Sequence, residues 1–451
     1  MILALLGLLA AVTTAAPKAL PAERIVASAA ESLLVAAIDP GGPGAAVLVA
    51  QGDRVVFRAA RGRAEIELGV PVEPAHIFRI GSITKMLTSA TVLKLASKGL
   101  LSPEDRLSRY MPEYPDANKI TIAQLLSHTA GISDNWESDP ARAVTSAELV
   151  RIIQQQPLEF APGTEWRYSN SGYMLLGSVI ETVSGRSWYD AIADQVLVPL
   201  AMTHTGYHGD QTLVSGSVAG YSADSSGTTI RAAFASLTGP GPAGALSSTV
   251  DDLFLFERAL THGKLLPDTL VRLMTAARKS ADGQMFPYGL GVMLGMVRDQ
   301  PVIEHNGMID GFSSQLTFFP DQDVTVIVLT NSDAGVINTR SLAHRLGAIA
   351  IGRPYRQFGN VSHDAPVASL AGTYRAGPAS VRTVSVRGHR LFVRRDQGPE
   401  RELVFDGRDI LYFPNDRIDY FRVIVGHSGA VQALEFHPDG ATIGRREQRS
   451  R

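Results

Sequence analysis

Residues 78–85 read Phe78-Arg79-Ile80-Gly81-Ser82-Ile83-Thr84-Lys85. A short extended lead ending in glycine runs into a helix that starts at Ser82 and continues to Lys98, where Gly99 stops it. Ser82 stands where an N-cap or first-turn residue belongs. A spacing of three puts its hydroxyl and the Lys85 ammonium on one helix face, within reach of each other. A serine hydroxyl is a poor nucleophile until a neighbour takes its proton. A lysine desolvated in a cleft has its pKa lowered toward that of a usable base. The helix N-terminus adds a field that favours developing negative charge. The same four residues also arise wherever a capping serine precedes a solvated lysine, so the pattern needs company.

Outward from this stretch the chain changes period twice. Upstream, an amphipathic helix is expected from Ala22 to Ile38, closed by Asp39-Pro40-Gly41-Gly42. Strands Ala45–Ala50 and Val55–Ala60 follow, turning at Gly52-Asp53. Downstream, Pro103 to Ala201 is mostly helical, and Ser222 to Pro242, rich in Gly, Ser and Ala, reads as a surface excursion. Strands return at Tyr288–Val292, Val302–His305, Gln315–Phe319 and Val324–Thr330, and Gly335 to Ile351 reads as a last helix. A sheet drawing strands from both ends of the unit, with a helical insertion between, is an α+β or mixed α/β domain.

With 451 residues, two domains are expected. The boundary falls at Pro354–Pro366, dividing a unit over 22–353 from a β-rich unit over 366–447. In the latter, seven short alternating segments from Thr373 to His437, spaced by about 8–12 residues, suggest a small antiparallel barrel or sandwich. Hydrophobic residues make up 45% and charged residues 19%, ordinary for a globular protein. The net charge of −2 gives no reason to expect nucleic acid or an anionic membrane as partner. With no cysteine, disulfides, thiolate nucleophiles and Cys-ligated zinc are excluded. His204 and His208 lack a zinc-protease glutamate, so no metal and no cofactor is expected.

Met1 to Ala11 is an apolar run followed by small residues, the pattern of a signal peptide over 1–16 with a mature start between Ala15 and Ala19. The run is shorter than the roughly 20 residues that span a bilayer. A retained anchor is the alternative. No integral membrane span is expected after it, and the expected location is periplasmic or secreted.

Two further motifs keep Ser82 and Lys85 company. Tyr168-Ser169-Asn170 precedes an apolar helix, Gly172 to Val183. Its phenol suits sharing a proton with Lys85, and the Asn170 amide suits orienting Lys85 and holding a carbonyl. His305-Asn306-Gly307 sits at the end of a predicted strand. Such an edge can bind an extended substrate, and the Met308 amide can join the Ser82 amide in an oxyanion hole. Taken singly, Tyr168-Ser169-Asn170 reads better as a loop with an Asn cap, and His305-Asn306-Gly307 as a turn.

In this order the three elements resemble the penicillin-recognising serine enzymes, in the variant form of class C β-lactamases, D-alanyl-D-alanine carboxypeptidases, D-aminopeptidases and related esterases. Those carry Tyr-x-Asn in the middle and, in several members, His-x-Gly on the strand. Further matches are Ile120 to Ile132, Pro162-Gly163, Ser248 to Leu253 and Tyr288-Gly289-Leu290-Gly291. The resemblance implies a β-lactamase/transpeptidase-like fold, with Ser82 as acylated nucleophile and Lys85 and Tyr168 as base and proton relay, in an order it leaves open. It assigns substrate positioning to Asn170, His305, Gly307 and Met308. The substrate would be a small molecule or short peptide. Asn306 replaces the hydroxyl residue of carboxylate-binding relatives, and the strand lacks their lysine. That weakens β-lactamase or strict carboxypeptidase action and favours a broader esterase or peptidase. A silent binding protein is the alternative of another class. Leu370 to Arg375 is similar to the opening strand of the lipocalin-like domain that some members carry. Trp136, Trp166 and Trp188 are expected in the core or cleft wall, with Trp166 near enough to Tyr168 to line the pocket. His128 is expected to be a structural hydrogen-bonder.

Overall fold

The computed structural model describes residues 21–135, 139–280, 283, 285–356, 367–375, 380–414, 416 and 418–450. The apolar N-terminal run, Trp136 and most of the expected boundary stretch lie outside the described residues. Among those described, no helix is long and apolar enough to cross a membrane.

Six strands make the main sheet: β1 (Ala45–Gln51), β2 (Arg54–Arg61), β3 (Met293–Val297), β4 (Gln300–Ile309), β5 (Phe312–Phe319) and β6 (Val324–Thr330). Their order is β3-β4-β5-β6-β1-β2, antiparallel throughout. β1 therefore closes on β6, from Ala45 opposite Thr330 to Gln51 opposite Val324. Residues 62–292, between β2 and β3, are an insertion, as the change of period predicts.

The helices that position the site are α1 (Pro21–Ala37), α2 (Thr84–Ser97), α3 (Ile122–Leu126), α4 (Asn170–Ser184), α5 (Val250–Thr261) and α6 (Thr339–Ala350). Ala45, Val47 and Val49 join Leu33, Leu34, Leu342 and Leu346 in one core, under α1 and α6. Ala46, Leu48 and Ala50 point the other way, into a second core with Ile83, Leu87 and Leu176. Burial on both faces is why β1 and β6 are continuous apolar runs, not alternating ones. α2 is buried around nearly its whole circumference, so Lys85 has no solvent to reach.

Two expectations are corrected. The strand expected at Tyr288–Val292 forms instead at Met293–Val297. The earlier segment turns back on itself, Gly289 N–H bonding Val292 O at 2.9 Å, and presses on α2 so closely that a Cβ at Gly291 would lie 2.1 Å from Ser89 Oγ. The excursion at 222–242 is only half a surface feature. Tyr221–Ala223 pairs with Thr229–Arg231 as an outer hairpin, but Leu237, Gly241 and Pro242 are buried. The small residues serve close packing: a Cβ on Gly177 of α4 would lie 2.6 Å from Pro242.

The second unit is a closed eight-stranded barrel. Its strands are β7 (Gly372–Arg375), β8 (Val381–Arg387), β9 (Arg390–Arg395), β10 (Arg401–Phe405), β11 (Ile410–Tyr412), β12 (Tyr420–Val425), β13 (Val431–His437) and β14 (Arg445–Arg449). β14 was not among the expected segments. It contains no apolar residue, and its inward side chain is Glu447, paired to Arg382 at 2.8 Å. The Arg382 guanidinium lies 5.0 and 4.6 Å from the rings of Phe421 and Phe436, so the lumen accepts the ion pair.

Candidate active site

Ser82 sits in a 3₁₀ turn, Gly81–Ile83, that feeds α2. The turn needs glycine at 81: its φ is +51°, and a Cβ there would lie 2.7 Å from the Met308 amide nitrogen. Lys85, one turn on, is fully buried and donates to three oxygens. These are Ser82 Oγ at 3.2 Å, Asn170 Oδ1 at 2.8 Å and the Ala243 carbonyl at 2.7 Å. None is a full charge. Burial therefore pushes the ammonium down to about 7, with only the Asp134 carboxylate pulling the other way. A neutral amine at this position can accept the Ser82 proton.

Tyr168 bonds Ser82 through its hydroxyl, and its ring centroid lies 4.8 Å from Lys85 Nζ. Burial raises this phenol far above its ordinary value, so it stays protonated. The His128 ring packs against Tyr168, tilted by 35° with centroids 4.3 Å apart, and its Nδ1 accepts the Ser169 N–H at 3.1 Å. Burial and the nearby Lys85 hold that ring neutral.

Asn170 is positioned by Asp134, which sequence reasoning overlooked. Asp134 accepts from Ser169 Oγ at 3.0 Å, Asn170 N at 2.7 Å and Ser171 N at 2.8 Å, satisfying the first-turn donors of α4. The only available signal was that a helix starting at Asn170 leaves donors in want of an acceptor. Ala243 was overlooked for a simpler reason: it contributes a carbonyl, which every residue has.

The strand motif divides. Gly307 faces the Ser82 turn so tightly that a Cβ would lie 2.0 Å from Ile80 O. The turn Asp310-Gly311 joins Ile309 to Phe312 as the closing pair of the β4–β5 hairpin. Pairs alternate along an antiparallel ladder, so the Met308 N–H points out of that ladder. β3 stops pairing at Glu304, which leaves the edge beyond it open toward Gly81. Ser82 and Met308 both line one cavity. His305 does not enter that space. Its ring is fully buried, Nδ1–H donates to Asn306 O at 2.6 Å, and Nε2 accepts from Tyr288 Oη at 2.8 Å. Burial takes it down to about 4, so it is neutral.

A cavity of about 370 Å³ opens over Ser82, bounded by Tyr168, Asn170, Gly244 and Met308. Three carboxylates also line it: Asp134, Asp139 and Asp310. Among the described lining residues the one cation is Arg142, and it is already paired with Glu148 at 2.8 Å. Trp166 packs behind, against His128 and Tyr288, and Trp188 is in the core.

Known proteins resemble this chain in sequence and in fold. Residues 23–349 match the beta-lactamase family. Penicillin-binding protein 4* of Bacillus subtilis (strain 168) is 26% identical over 330 residues, 68% of this chain and 72% of that protein. The D-aminopeptidase of Gluconobacter oxydans (strain 621H) is 28% identical over 315 residues, 68% of this chain and 59% of the relative. Among solved structures, the octameric penicillin-binding protein homologue from Pyrococcus abyssi superposes with a TM-score of 0.67 at 21% identity. That match covers 93% of this chain and 99% of the other, a span that takes in the barrel and concerns the fold alone.

Proposed function

The chain belongs to the beta-lactamase family, a family of serine hydrolases, and from that premise we propose that it cleaves small amides, peptides or esters whose acyl part carries a free amino group. D-Amino-acid derivatives are the class in view. The observation that carries the hydrolytic reading is Lys85, buried among three neutral acceptors and pushed down to about 7. At neutral pH its amine takes the proton as Ser82 Oγ attacks the carbonyl carbon. The oxyanion that forms accepts from the Ser82 and Met308 amides. Tyr168, held as a phenol, relays a proton to the departing nitrogen or oxygen, and water then hydrolyses the acyl-enzyme. Of the two base assignments the sequence leaves open, Lys85 is the better supported, because burial raises Tyr168 out of reach as a phenolate.

The substrate class rests on charge. Asp139 and Asp310 line the cavity, and the strand motif His305-Asn306-Gly307 has neither the lysine nor the hydroxyl residue of carboxylate-binding relatives. An ammonium is favoured there, and a substrate carboxylate meets like charge in a partly desolvated cleft. That disfavours β-lactams and the free carboxyl end of peptidoglycan stems. The likeness to a D-aminopeptidase supports the same reading.

The test compares D-alanine p-nitroanilide with its N-acetyl derivative, with Ser82→Ala as the blank. Release is expected from the free amine at least roughly tenfold faster, the size of one charge interaction in a cleft. Equal rates for the two, or release that survives in the blank, would sink the proposal.

A further inference from the structure

Strand β4 has a second face. Glu304 precedes His305 and, by the alternation of a strand, points away from the catalytic cleft. Its carboxylate is nearly buried, and one oxygen accepts from Gln315 Nε2 at 2.9 Å, Thr317 Oγ1 at 2.9 Å and His344 Nε2 at 2.8 Å. His344, on α6, uses its other nitrogen on Asp439 Oδ1 at 2.7 Å. Asp439 belongs to the barrel, on the turn between β13 and β14. Ionised carboxylates only accept, so both His344 nitrogens donate and the ring is an imidazolium. Arg340, on the same helix, binds Asp439, and Asp416 and Asp419 of the barrel add their charges around it.

The same barrel turn grips the far end of β4. Thr442 N–H donates to Asp299 in the β3–β4 hairpin at 2.9 Å, and Arg298 N–H donates to Asp439 O at 3.2 Å. The Arg298 guanidinium also binds Gly440 O. Eight residues, 300–307, separate this grip from Met308, along a strand whose last part lacks β3 as a neighbour. Without a counter-charge the buried Glu304 is costly to keep ionised. The strand would then relieve it by moving or by taking up a proton.

We infer that Asp439 and His344 are positioning residues for the hydrolase: the barrel turn, through His344 and Glu304, holds the β4 edge where its Met308 amide meets Ser82. The barrel is then part of the active site's framework. This rests on the reading of Ser82 as nucleophile and of Met308 as oxyanion donor.

The experiment uses the full chain with Asp439→Asn, which keeps an acceptor for His344 Nδ1–H and removes the charge. Two readouts are taken: amide hydrogen exchange over 305–309, and kcat and KM on D-alanine p-nitroanilide across pH. The variant is expected to exchange faster over 305–309 and to lose roughly ten- to a hundredfold in kcat with little change in KM, the scale of a displaced catalytic donor. Its rate should also fall at lower pH on the alkaline side, since His344 now has one carboxylate in place of two. His344→Gln should behave likewise, and adding Glu304→Gln to it should restore much of kcat by removing the stranded charge. Should Asp439→Asn melt below assay temperature, that pair of variants carries the same test. Unchanged exchange, or faster exchange with an unchanged kcat and pH profile, overturns the inference. A wild type that never turns over overturns the hydrolase reading instead, while exchange still decides whether the barrel holds the strand.

Discussion

Lys85 and His344 are both out of contact with water, 0% and 1% exposed, yet their basicities move in opposite directions. Burial takes Lys85 down to about 7. Burial also works against His344, but the Glu304 charge and the Asp439 hydrogen bond override it and carry the ring up to about 9. The difference lies in the partners. Lys85 touches a hydroxyl, an amide oxygen and a carbonyl, and the nearby Asp134 spends its hydrogen bonds on the start of α4. His344 touches a carboxylate on each side. Dipoles satisfy hydrogen bonds without favouring the charged form enough to offset burial, whereas a carboxylate on each side does favour it. One buried cation is thereby made ready to lose its proton and the other is made to keep it.

The comparison is most exposed at Lys85 itself. Lys85→Met should cut kcat/KM by roughly 10²–10⁴, the usual worth of a general base. Its melting temperature should hold or rise, because a desolvated amine is exchanged for an apolar chain of similar volume. A variant that kept a tenth of the activity would transfer the base role to Tyr168. Wild-type activity should rise through about pH 7, as the depressed lysine gives up its proton.

His344→Ala should act on stability, lowering it by about 3–5 kcal/mol in urea titrations, the cost of breaking a buried pair from one side. The pH dependence follows from the sign of the shift. The folded value lies above the ordinary 6.5, so this stability is fully present below 6.5 and is lost as pH rises through about 9. Urea midpoints at pH 6 and pH 10 should therefore differ in the wild type and converge in the variant. Parallel midpoints would mean that the ring is not held charged.

The smallest effect is expected at Asp134. It is the one carboxylate lifting Lys85, so Asp134→Asn should move the rising limb of the pH–rate profile to lower pH. Loss of the charge at the start of α4 should cost about 1 kcal/mol in addition. A limb that moved upward would remove Asp134 from the electrostatics of Lys85.

Much of this arrangement was legible before the fold. The hydroxyl and amine of Ser82 and Lys85 share a face by helical spacing alone. The apolar runs of β1 and β6 announce strands covered on both sides. β14 was hidden because its inward position is Glu447, and no alternation rule finds a strand whose buried face is an ion pair. The 222–242 segment misled because Gly, Ser and Ala suit a loop in water and a tight passage beside a helix equally well. His305 looked like a ligand-facing residue, and it took the hydroxyl of Tyr288 to show that its ring is occupied.

By itself the sequence determined the order of the chemical elements and the periodicities of sheet, helix and barrel, since both follow from spacing along the chain. Tertiary structure alone decided what those elements do. The Ala243 carbonyl reaches Lys85 across 158 residues, and Asp439 reaches His344 across 95. Basicity is set by which dipoles and charges stand within hydrogen-bond distance and by whether water can reach the group. Neither quantity exists until distant parts of the chain are packed together.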